Sequence, residues 1–132
     1  MDLKTIFKRF VLLDFSIFVL AFIAFFFISP EITRLEEDLN SNFSDTYFMG
    51  MGVIAIIYII AYLINLFLLY KFKSIGKQIY LILFIVLLVL SLLSPPNAVD
   101  SWLYVLDGLG MANSGAILVL LYFSPIKKEF EK

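Results

Sequence analysis

Apolar residues in this chain come in runs, not in alternation. Four of them, residues 10–29, 47–70, 78–94 and 102–123, carry Leu, Ile, Val and Phe at every helical angle with few charges. About 17 to 25 residues at about 1.5 Å rise cross about 30 Å of hydrocarbon, and each run is of that order. Backbone groups cannot be left unpaired in lipid, and the strands of a barrel would alternate, so uniform runs of this length predict helices. The pattern therefore predicts an all-α integral membrane protein, a four-transmembrane-helix bundle forming a single membrane domain over residues 1–132.

The connecting segments have their own patterns. Leu3, Ile6, Phe7 and Phe10 recur at i, i+3, i+4 and i+7 among Lys4, Lys8 and Arg9, which predicts a short amphipathic turn on the membrane surface before the first span. Phe25 to Ser29 offer no small-x-small cleavage site, so the first run reads as a span and not as a signal peptide. The external loop, residues 30–46, is acidic. In it Ser29 can cap a helix, Pro30 can open it, and Ile32, Leu35 and Leu39 share a side, which predicts a short surface helix ending near Asn40. Gly76 is expected to break the helix between the second and third spans, and Ser94-Pro95-Pro96-Asn97 to form a tight loop into the fourth. The third span has almost no small or polar residues and is expected at the lipid-facing periphery.

Charge adds an orientation. Nine of the ten Lys and Arg residues fall in the N-terminal segment, the Lys71 to Lys77 turn and the C-terminal tail, leaving only Arg34 on the other side. The positive-inside rule then predicts both termini on the cytoplasmic face of a cell inner (plasma) membrane, crossed several times. Mean hydropathy of +0.99, 62% hydrophobic residues and 16% charged residues agree with the class.

Candidate chemistry narrows quickly. With no cysteine and no histidine, the chain lacks thiolate nucleophiles, imidazole bases and the usual ligands of zinc, haem and iron–sulfur clusters. No phosphate-binding loop, dinucleotide turn or nucleophile elbow is present, so no catalytic residue, metal or cofactor is expected, and the protein is not expected to be an enzyme. A net charge of -1 gives no reason to expect nucleic acid as a partner. The partners implied are the lipid bilayer and either further copies of the chain or helices of other membrane proteins.

Intramembrane polar residues remain. Asp14 and Asp107 are the only carboxylates inside the spans, and such groups are functional candidates because lipid makes them costly. Met51, Ala55, Tyr58, Tyr62, Asn65 and Leu69 share one helical face, so a polar cluster of Asp14, Tyr58, Tyr62 and Asn65 is expected inside the bundle, with Asp14 hydrogen-bonded to Tyr62 or Asn65. A second polar site is expected from Asp107, Asn113, Ser114 and Ser91. Gly108, Ala112 and Gly115 form a small-residue groove for close helix packing. Together these predict a non-enzymatic bacterial protein acting through helix–helix contacts, as an accessory, assembly or protective subunit of the immunity-protein kind. The alternative is an oligomeric small transporter or channel subunit that uses Asp14 and Asp107 for proton or cation coupling.

Overall fold

A computed structural model describes residues 2–95 and 97–131; Pro96 of the expected tight loop and Lys132 of the tail lie outside the described residues. The chain is 84% helical, with no strand among the described residues. Among the described residues five α-helices occur in the order α1 (Leu3–Phe25), α2 (Pro30–Asn40), α3 (Asp45–Tyr70), α4 (Ser74–Leu93) and α5 (Ser101–Phe123), followed by a 3₁₀ segment, Pro125–Phe130. Helices α3, α4 and α5 are each long and apolar enough to cross a membrane. Helix α1 qualifies only together with α2, from which it is bent by 88°. This is the architecture of a helical membrane protein.

Local chemistry sets the breaks. Ser29 caps α2 by accepting the Ile32 N–H at 3.4 Å ahead of Pro30, whose missing N–H costs nothing at a helix start. Ser44 does the same for α3, accepting from Tyr47 at 3.3 Å. Helix α3 ends differently. Phe72 adopts φ 54°, its N–H reaches the Leu69 carbonyl, and the Lys73 N–H reaches that of Leu68, both at 2.9 Å. That bonding pattern normally uses glycine at the left-handed position, and a side chain there is strained by about 1–2 kcal/mol. The Phe72 ring offsets this by packing 5.6 Å from Phe7 and 5.3 Å from Phe130, while Lys71 and Lys73 on either side are exposed.

Two sequence expectations are corrected at these joints. Residues 3–9 do not form a separate surface turn; they are the first turns of α1, because Phe7, Val11 and Asp14 continue one buried face without interruption. The lysines and Arg9 lie on the other sides of the helix and do not stop it. Asp14 therefore lies midway along α1. Gly76 does not break a helix either; it lies in the first turns of α4, where a Cβ would stand 3.0 Å from the Leu68 Cβ and 3.2 Å from backbone atoms of Leu68 and Leu69. Its lack of a side chain is what lets α4 close on α3.

The helices associate as two pairs. Helix α1 packs mainly on α5 and α3 mainly on α4, with fewer contacts from one pair to the other. Each pair is also tied at its acidic end: Asp100 accepts the Ser29 N–H at 3.0 Å, and the Tyr47 hydroxyl donates to the Leu93 carbonyl. Between the pairs the core is one-sided. Phe7, Val11, Leu66, Leu69, Ile117, Leu121, Ile126 and Phe130 form a single buried cluster at the lysine-bearing end. The 3₁₀ segment completes it, with Ile126 and Phe130 inside and Glu129 accepting from Lys4 at 2.8 Å. Helix α4 is not wholly peripheral, since Tyr80 and Leu83 are buried.

Candidate functional site: a carboxylate at the floor of an open cleft

Asp14 is 2% exposed and gathers three helices around it. Its Oδ2 accepts from the Tyr62 hydroxyl at 2.7 Å and from the Tyr80 hydroxyl at 3.0 Å. The other oxygen, Oδ1, accepts from Asn113 Nδ2 at 2.7 Å. The donors come from α3, α4 and α5, so one carboxylate on α1 ties the two helix pairs together. None of them is charged. Neutral donors satisfy a buried carboxylate by direct hydrogen bonds where a lone carboxylate in lipid would be prohibitive.

The neighbours hold these donors in place. Asn113 also donates to the Phe10 carbonyl at 3.1 Å, fixing its amide against α1, while its Oδ1 is buried without a hydrogen-bond partner. The Tyr62 ring lies between Phe18, at 5.7 Å, and Tyr58, stacked at 6.2 Å and 11°. Asn65, fully buried, does not reach Asp14. With its amide oriented to match donors with acceptors, it donates to the Gly76 carbonyl at 2.9 Å and accepts the Tyr80 N–H at 3.2 Å. Asn65 thus anchors α4 where Gly76 admits it, and so sets the height of Tyr80.

On the acidic side of Asp14 the pairs diverge around a partly open cleft of about 420 Å³. Asp14, Tyr62 and Tyr80 lie at its closed end. Its walls include Tyr58, Ser91, Asp107 and Ser114 among apolar side chains such as Phe18, Phe84, Leu87 and Met111. Pocket volumes of about 300–1,000 Å³ are typical for small ligands, and this one is at the small end. A second hollow of about 240 Å³ between α3 and α4 shares Tyr58, Leu87 and Ser91 with it.

This arrangement redistributes the residues singled out above. The expected second site does not exist as a separate place: Asn113 belongs to the Asp14 network, and Asp107, Ser114 and Ser91 line the same cleft as Asp14. Tyr80 was missed, although its spacing from Gly76 and Leu83 at i−4 and i+3 marks one face. The two carboxylates differ sharply. Asp14 has both oxygens engaged, whereas Asp107 has no hydrogen bond, ion pair or charged neighbour among the described residues. Gly108, Ala112 and Gly115 face away from the bundle, and a Cβ at Gly108 or Gly115 would meet nothing within 4 Å.

Among the described residues no group of three or more Asp, Glu, His or Cys could hold a metal ion. Comparison of the chain with protein-family models, with curated proteins and with solved structures finds no match. The site has to be read from its own chemistry.

Proposed function

We propose that the protein is a non-enzymatic bacterial inner-membrane four-helix protein, with both termini cytoplasmic, that serves as a small transporter or channel subunit working through its cleft. One observation carries the reading: a cleft open on one side ends at a buried carboxylate that joins both helix pairs. Any change that opens the opposite end must separate the pairs, and separating them breaks hydrogen bonds to Asp14. A proton or cation that competes for Asp14 therefore competes with closure, which is the physical content of coupling. The test is flux in proteoliposomes under an imposed potential or pH gradient. Protein-dependent proton or alkali-cation flux is expected, lost in Asp14→Asn while the helical circular dichroism and melting profile are kept. Identical leak from loaded and protein-free vesicles would overturn the reading.

A second reading keeps support from a different observation. The groove of Gly108, Ala112 and Gly115 is unfilled within the protomer, and small residues let helices approach closely where lipid is as apolar as leucine. That favours an accessory, assembly or protective subunit, or a homo-oligomer, that engages another helix there. Gly115→Leu should then reduce the oligomer or complex size in detergent, and an unchanged size with intact folding would remove this reading.

A further inference from the structure

We infer that the cleft binds a small amphiphilic organic monocation, a quaternary or protonated amine on an aromatic or branched apolar body, with its charged head at Asp107. The inference rests on the reading of the cleft as a solute site and names the solute. Its starting point is the contrast between the two carboxylates. Asp14 is engaged on both oxygens by three donors and holds the fold together. Asp107, an exposed side chain, lines the cleft from the second turn of α5, roughly 9 Å from the helix start by rise per residue, and has no hydrogen-bond or ion-pair partner among the described residues. A carboxylate inside a span carries a desolvation cost that an opposite charge relieves.

The remaining lining decides what kind of cation. Among the described residues Asp14 and Asp107 are the only ionisable groups lining the cleft apart from tyrosines, so an anion would meet two carboxylates and no base. A divalent metal ion would find too few anionic ligands to be held there, since no group of three or more acidic, His or Cys side chains occurs among the described residues. An organic cation needs fewer. Its head pairs with Asp107, and the Tyr58 face in the same cleft offers cation–π attraction. Its apolar body replaces water against Phe84, Leu87 and Met111. With Asp14 occupied, one positive charge is matched and a second is not, and about 420 Å³ admits a body of one ring more readily than an extended one.

Equilibrium dialysis of the full chain in nanodiscs of zwitterionic lipid tests this with radiolabelled benzyltrimethylammonium. Three further probes bracket it: neopentylbenzene, which replaces the nitrogen by carbon at the same shape, benzenesulfonate, and a dicationic bis-quaternary analogue. Saturable binding of the monocation is expected. It should weaken roughly tenfold or more in Asp107→Asn, be retained in Asp107→Glu, and be unchanged in Glu31→Gln, which removes an acid outside the cleft. Neopentylbenzene should compete roughly tenfold or more weakly, and benzenesulfonate not at all. Asp107 touches no other residue by hydrogen bond, so its variants should melt like the wild type, and that is measured alongside.

Equal affinity for the neutral isostere, full affinity in Asp107→Asn, equal loss in Glu31→Gln, or preference for the dication or the sulfonate would each overturn the assignment. The flux of ions described above would survive any of these, so the wider reading would stand. Monocation binding as expected without any flux would instead overturn transport and leave the binding site.

Discussion

Replacing Asp14 separates hydrogen bonding from charge. In Asp14→Leu the three donors lose their common acceptor. Interhelical hydrogen bonds in membranes average about 0.6 kcal/mol and reach about 1.7, which puts the loss near 2 kcal/mol with an upper bound of about 5. The structure favours the lower part of this range. Tyr62 and Tyr80 can turn their hydroxyls toward the open cleft, and Asn113 keeps its bond to the Phe10 carbonyl. Asp14→Asn should cost under about 1 kcal/mol, because its oxygen can still accept from Asn113 while its NH₂ donates to the two phenol oxygens, each of which accepts as well as donates. Asn113→Ala should cost more than Tyr62→Phe, since it removes two bonds and leaves one carboxylate oxygen buried and unpaired, at about 1–3 kcal/mol. Reversible unfolding in mixed micelles, followed by circular dichroism, gives the ranking. If Asp14→Leu proved as stable as the wild type, or Asp14→Asn less stable than Asp14→Leu, the carboxylate would not be the tie between the helix pairs.

Four further outcomes are expected. Gly76→Ala should destabilise by about 1–3 kcal/mol because its Cβ meets Leu68 at 3.0 Å, whereas Gly115→Ala, with nothing within 4 Å, should be neutral or gain up to about 1 kcal/mol from helix propensity; equal melting of both would refute the close α3–α4 approach. Cysteine labelling should find Ser41→Cys and Glu131→Cys on opposite faces of the membrane, cleanly since the chain has no cysteine of its own; labelling of both from one face would refute the orientation. Phe130→Ala should cost about 3 kcal/mol and expose the tail to carboxypeptidase. The tail is also held by Lys4, whose ammonium is raised above its ordinary 10.5, first by the hydrogen bond to Glu129. The contribution of a base raised in this way is complete below its unfolded value and fades as pH rises past it. Proteolysis of the tail should therefore quicken only above about pH 10.5, and a pH-independent rate would show that the ion pair adds nothing.

The helices could be read from the sequence because run length and end caps act locally. Ser29-Pro30 marks a helix start, and the Ser29 hydroxyl accepts an N–H in the structure. Tyr62 could be paired with Asp14 because a hairpin of the first and second long helices places them at similar height. Asn65, one turn away on the same face, meets backbone and not the carboxylate, which no helical wheel distinguishes. Helix α4 was the least legible. Inside lipid the outward surface is as apolar as the inward one, so the contrast that marks a buried face in water is absent. The inward side is marked in the structure by Gly76, Tyr80 and Leu83, in register on one face, and not by any contrast in hydropathy. Asn113 stands among Leu106, Ile117 and Leu120, and this face of α5 meets α1.

The cluster of Phe7, Phe72 and Phe130 brings residues from the beginning, middle and end of the chain within ring contact. During synthesis Phe7 emerges long before Phe130. Until α5 emerges, Asp14 lacks Asn113, and until Phe130 leaves the ribosome, Phe7 and the strained Phe72 lack their partner. The most densely packed end of the molecule is therefore the last that can form. Truncating a handful of C-terminal residues would leave every helix inserted but the bundle unlatched, a state in which the chain is integrated in the membrane yet exposed to quality-control proteases.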